Sequence, residues 1–197
     1  MKRFLVVFLA LALAVGLAGC SGTNPEDTVK AYCEALKASN FDEMGALKEK
    51  PVGKEDIVGD LHAEKMDVLY DYFKENAANI VYTIQDVKTE GSASKVTVEF
   101  KYVDASNIAQ RGIQDFVLKA ISMVLTPPTE EELEQAMTEC FQNAIDTTKT
   151  GETTETVVFE CVKTEGKWKI REISDGLVSV YTCNMNKALE DYGDLVG

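Results

Sequence analysis

Five cysteines, one histidine and 33 carboxylates are foremost among the groups in this 197-residue chain that can act as nucleophiles, metal ligands or acid–base catalysts. Their spacing builds no standard catalytic constellation. His62, the single histidine, lies in an acidic helical stretch after Leu61, and no close Cys/His pair exists to begin a zinc site. Neither a Gly-x-Ser-x-Gly elbow nor a phosphate-cradling glycine loop occurs. A Cys–His dyad needs spatial proximity that sequence does not supply, and acid–base pairs can be drawn at will among so many carboxylates. No catalytic residue, metal ligand or cofactor is therefore assigned. Cys33, Cys140, Cys161 and Cys183 leave two readings open. They form disulfides of an exported domain, for which three complete pairings exist, or they are buried thiols, as the apolar helical stripes carrying Cys33 and Cys140 suggest. Tyr70, Phe73, Tyr82, Phe100, Tyr102 and Trp168 likewise either line a cavity between helix and sheet for a small apolar ligand or fill a solid core. Strand alternation and helical spacing already account for most of them.

Cys20 stands apart from the other four. Lys2 and Arg3 give a positive start, Phe4 to Leu17 form an almost wholly apolar run, and small residues lead to the cysteine. That is the order of an export signal. The run is shorter than the roughly twenty residues a membrane-crossing helix needs, which argues for a removed signal rather than a retained anchor. Leu17-Ala18-Gly19-Cys20 resembles the lipobox of bacterial lipoproteins. The resemblance implies cleavage after Gly19 and a diacylglyceryl group on the Cys20 sulfur, giving an extracytoplasmic protein anchored to the cell membrane. Thioether formation uses the thiolate, so serine or alanine at position 20 cannot be lipidated. Two acyl chains hold where one is only marginal.

Loss of residues 1–19 leaves 178 residues, one domain of ordinary size. Lys2 and Arg3 depart with the signal, so 18 basic groups face 33 acidic ones, a net of −15 against −13 for the whole chain. Such a surface repels nucleic acid and anionic head groups. Residues 20–24 form the lipidated cysteine and a short tether, and four extended residues reach at most about 14 Å. The folded body, residues 25–197, is held close to the membrane with its acidic faces turned away.

The elements of that body follow from periodicity. Asn24 as N-cap, Pro25 and the acidic pair Glu26 and Asp27 open a helix whose stripe is Val29, Tyr32, Cys33 and Leu36. A second helix is expected over Asp56–Asn76. Ile80–Thr89 and Lys95–Val103 read as an antiparallel hairpin, the latter alternating Val96, Val98, Phe100 and Tyr102 against Thr97, Glu99 and Lys101. Ser106–Thr126 returns to helical spacing until Pro127 and Pro128 stop it, and Thr129 with Glu132 marks a capping box for the next helix. Thr153–Thr164 and Lys167–Ile173 form a second hairpin around Glu165-Gly166, and a final helix is expected over Leu177–Asp191. Two hairpins require at least four antiparallel strands, and amphipathic helices cover the apolar face, so the fold class is α+β.

Pro25–Tyr32 with Ala35–Asp42, and the late Val162–Ile170 stretch ending Gly166-Lys167-Trp168-Lys169-Ile170, resemble small bacterial lipoproteins with a nuclear transport factor two-like, or cystatin-like, α+β domain. The resemblance implies helices packed into a curved antiparallel sheet as a cone, here with a helical insertion over Ser106–Thr148. The expectation from sequence is a lipid-anchored, non-catalytic binding or interaction module for an unknown protein or small apolar ligand. The alternatives are a small-molecule enzyme using a cone pocket, or a sensor or inhibitor whose acidic surface binds a basic partner.

Overall fold

The computed structural model describes residues 24–50, 67–123 and 128–188. In chain order they form α1 (Pro25–Lys37), α2 (Phe41–Leu47), α3 (Asp67–Ala77), β1 (Val81–Glu90), β2 (Ala93–Asp104), α4 (Ser106–Ser122), α5 (Glu130–Thr147), β3 (Gly151–Thr164), β4 (Lys167–Ile173) and α6 (Leu177–Tyr181). The α+β class expected from the alternating segments is what the chain adopts. The four strands make one open antiparallel sheet in the order β1-β2-β3-β4.

Every strand pairs with its neighbour in sequence, so the two hairpins sit side by side. Glu165 and Gly166, both at positive φ (52° and 81°), turn the second hairpin in two residues, a conformation whose twist suits antiparallel strands. β2 and β3 are joined at the other end of the sheet by α4 and α5, which pack on each other as a hairpin. One extra residue, Gln85, bulges β1 between Ile84 and Asp86. A second irregularity leaves Arg171 unmatched, since Glu160 pairs with Glu172 and Cys161 with Ile170.

Alternation sorts the sheet into an apolar inner face and a polar outer one. Val96, Val98, Phe100 and Tyr102 of β2, Val157, Phe159 and Cys161 of β3, and Trp168 and Ile170 of β4 are all buried. α1 lies across this face and touches all four strands. Its stripe of Val29, Tyr32, Cys33 and Leu36 is fully buried. Each such side chain contributes roughly 1.5–3 kcal/mol. Both α1 and α2 begin at an asparagine whose side chain accepts a backbone N–H, from Asp27 and Glu43 respectively. The capping box at Thr129 and Glu132 forms as the sequence indicates.

After α2 the chain runs along the outer edge of β4. Lys48 forms a parallel bridge to Ile170, and the Glu49 N–H donates to the Ile170 carbonyl at 2.8 Å. This covers one sheet edge.

Of the expected helices, one is described only in part and one differs from what is found. The described part of the helix expected over Asp56–Asn76 is α3, and residues 51–66 lie outside the described residues. The final helix is broken: α6 stops at Tyr181, Cys183 and Asn184 take left-handed backbone (φ 54° and 62°), and helical turns resume at residues 185–188. The break has a tertiary cause. The Ala105 N–H donates to the Cys183 carbonyl at 2.8 Å, and the Tyr102 hydroxyl donates to Asn184 Oδ1 at 2.9 Å. A continuous helix would use that carbonyl internally.

Candidate functional site

The six aromatic positions singled out from sequence are spread over the core and its margin. Phe73, Phe100, Tyr102 and Trp168 belong to the buried core, Tyr82 packs on its margin half-buried, and Tyr70 is also half-buried. A run of ring contacts lies between helices and sheet. Tyr82 lies 6.3 Å from Phe100, Phe100 is 6.4 Å from Phe159, and Tyr32 stands edge-on to Phe159 at 5.7 Å. On the other side Phe73 and Phe41 both meet Tyr181, at 6.2 and 5.5 Å. Such tilted and edge-to-face pairs are the favourable arrangements of packed rings.

Hydroxyls of the core tyrosines are mostly tied down. Tyr181 donates to Ser39 Oγ at 3.1 Å and Tyr82 to Glu34 Oε1 at 2.8 Å, with Lys37 Nζ 6.0 Å from the Tyr82 ring centre. Burial pushes the Tyr181 phenol up to about 12, and burial with the Glu34 carboxylate pushes Tyr82 higher still. Tyr32 is the exception. Its hydroxyl is fully buried and has no hydrogen-bond partner among the described residues. Sequence reading placed Tyr32 on the α1 stripe but gave no sign of the orphaned oxygen, because nothing local distinguishes a satisfied phenol from an unsatisfied one.

The four cysteines of the domain are free, buried thiols. Burial pushes Cys33, Cys161 and Cys183 up to about 12, and it raises Cys140 as well. A thiol so displaced carries almost no thiolate at neutral pH and is a poor nucleophile and metal ligand. No group of three His, Cys, Asp or Glu side chains among the described residues is placed to hold a metal ion. His62, the lipobox residues Leu17, Ala18 and Gly19, and Cys20 itself lie outside the described residues.

A cavity of about 190 Å³ opens beside the β1–β2 turn, where Lys88, Lys95 and Arg171 stand with Glu90 and Glu160 around Ser94 and Cys161. None of the six aromatics lines it. The cations are matched by carboxylates: Lys88 to Asp86 at 2.8 Å, Lys95 to Glu160 at 2.6 Å, and Arg171 to Glu49 at 3.1 Å. The Lys95 ammonium holds the Glu160 carboxyl below its usual range, and Glu160 raises Lys95 in return. The Ser94 hydroxyl donates to the Lys88 carbonyl at 3.1 Å and lies 2.9 Å from Thr89 Oγ1. This is a charged, solvent-facing recess with paired ions and no activated nucleophile. Its chemistry suits contact with a polar surface. The alternation of β2 could have located it, since Lys95, Thr97 and Glu99 must face away from Val96 and Val98.

No described helix is long and apolar enough to cross a membrane. Comparison with protein-family models, curated proteins and solved structures finds no match for this chain.

Proposed function

We propose that this chain is a lipid-anchored, extracytoplasmic binding module, held at the cell membrane through Cys20 and without a catalytic role. The observation that carries the reading is the sequence Leu17-Ala18-Gly19-Cys20 placed directly after the apolar run Phe4–Leu17. The domain's interior supports it from another side. An enzyme of this class would use a concavity holding an ionisable group with a perturbed pKa, whereas displaced groups here such as Cys33 and Tyr32 are buried in packed core, and Tyr82 on the core margin is tied to Glu34. Leu118 and Ile121, 67% and 63% exposed on one face of α4, favour a protein partner over a small apolar ligand.

Replacing Cys20 with alanine tests the anchor in the native host. The variant should fold as the parent does and leave the membrane fraction for the soluble one. Continued sedimentation with membranes contradicts the anchor.

A further inference from the structure

α1 fixes which end of the domain the tether leaves from. Tyr32 packs on Phe159, whose register partner in β2 is Val96, opposite Val87 in β1. Two residues later Glu34 binds Tyr82, and Lys37 lies over the same ring, five positions earlier in β1 than Val87. α1 therefore advances away from the two β-turns, and its N-terminus points toward the end of the sheet where Gly91 and Gly166 lie. A four-residue tether reaches at most about 14 Å, so that end is the one nearest the lipid. α4 and α5 leave from the opposite end, at Asp104 and Gly151.

Charge is divided along the same axis. Residues 86–95 and 160–172 carry the cations Lys88, Lys95, Lys163, Lys167, Lys169 and Arg171 against five carboxylates. Residues 106–147, the helical hairpin, carry Arg111 and Lys119 against seven. In a chain of net charge −13, these turn stretches sum to +1, or to zero with Glu26, Asp27 and Lys30 of the first turns of α1, while the hairpin is strongly acidic at −5. Lys163 and Lys167 are exposed and make no ion pair among the described residues, while Lys88 and Lys95 keep 78% and 64% of their side chains open to solvent.

We propose that the two β-turn tips form a membrane-contact pole, in which Lys163 and Lys167, flanked by Lys88 and Lys95, meet anionic phospholipid head groups while the acidic hairpin projects away from the bilayer. The contact rests on the lipid anchor proposed above. It orients the domain rather than holding it, because the acyl chains supply the affinity and the lysines supply only a salt-sensitive bias. It also leaves Leu118 and Ile121 facing outward, where a protein partner can reach them.

Energy transfer to a lipid-surface acceptor tests this with the lipidated chain reconstituted in vesicles. Donors are placed at Thr164→Cys in the β3–β4 tip and Thr150→Cys just before β3 at the opposite end of the sheet, both exposed positions. The fourteen residues of β3 span roughly 45 Å, so the two ends are separable by this method. On anionic vesicles, transfer from position 164 should exceed that from position 150. The difference should shrink with high salt and with the double variant K163E/K167E, whose fold is checked by circular dichroism. Equal transfer from both positions overturns the pole, as does a difference that ignores salt and charge reversal. If the chain fails to float with neutral vesicles, the anchor itself is wrong and the orientation falls with it. Flotation with equal transfer leaves the anchor standing and removes only the pole.

Discussion

Tyr32 is the residue whose chemistry is least compensated. Its ring is well packed against Phe159, but its buried hydroxyl has no partner among the described residues. An orphaned buried polar group costs about 1–3 kcal/mol, so Tyr32→Phe, which keeps the ring, should raise stability by up to about that amount. Urea denaturation reads it directly, and a loss of more than about 1 kcal/mol would mean that the hydroxyl has a partner after all. The thiols make a prediction about pH. Burial raises Cys33, Cys161 and Cys183 from 9.0 to about 12, and Tyr72 and Tyr181 from 10.0 to about 12. The fold favours their neutral forms, so their contribution is fully present below pH 9, where the unfolded thiols begin to ionise. It drains away as pH rises toward 12. Melting temperature should therefore be insensitive to these groups near neutrality and fall through that alkaline window; an alkaline limb with no such fall would place the thiols in water. Thiol titration gives a separate check: the four cysteines should react with a thiol reagent only once the chain is unfolded, while two missing equivalents in denaturant would reveal a disulfide.

At the scale of elements, the α4–α5 hairpin depends on one close approach. A Cβ on Gly112 would stand 2.7 Å from Cδ1 of Phe141, a ring that is 2% exposed and has nowhere to go. Alanine normally stabilises a helix interior by about 1 kcal/mol relative to glycine. Here the overpacking cost, typically about 1–3 kcal/mol, should win, so Gly112→Ala is expected to destabilise. A gain in stability would mean the two helices are not in contact at that level. Much of this layer was legible in sequence. The alternation of Val96, Val98, Phe100 and Tyr102 defines β2, and the Thr129–Glu132 pair marks the start of α5, because both signals are local. The broken final helix was not legible. The spacing of Leu177, Tyr181 and Met185 is helical, and the three residues are buried as that spacing implies. What interrupts the helix is a pair of bonds from Ala105 and Tyr102, roughly eighty residues away in sequence. Asn184 was the single hint, since asparagine tolerates left-handed backbone better than most residues. The aromatic positions divide in the same way: the burial of Phe73, Phe100, Tyr102 and Trp168 followed from periodicity, but the ring partners they meet, such as Phe159 and Tyr181, are set by tertiary packing.

The described residues form an acidic α+β domain with most of its rings packed into the centre, its four thiols buried and its charges spread unevenly between two ends. The described core from Val29 to Ala188 is built without the N-terminal twenty residues, which lie outside the described residues, and the proposed anchor at Cys20 is therefore tested apart from the fold. If Cys20 serves only as the proposed anchor, the domain should keep its melting temperature when Cys20 is replaced; a clear drop would give the residue a structural role. Intact-mass analysis of the chain extracted from the membrane fraction of its native host tests the central claim most directly. The account predicts a polypeptide that begins at Cys20 and carries a diacylglyceryl group on it, with four further cysteines unmodified. An unmodified chain retaining residues 1–19 in the soluble fraction would contradict it.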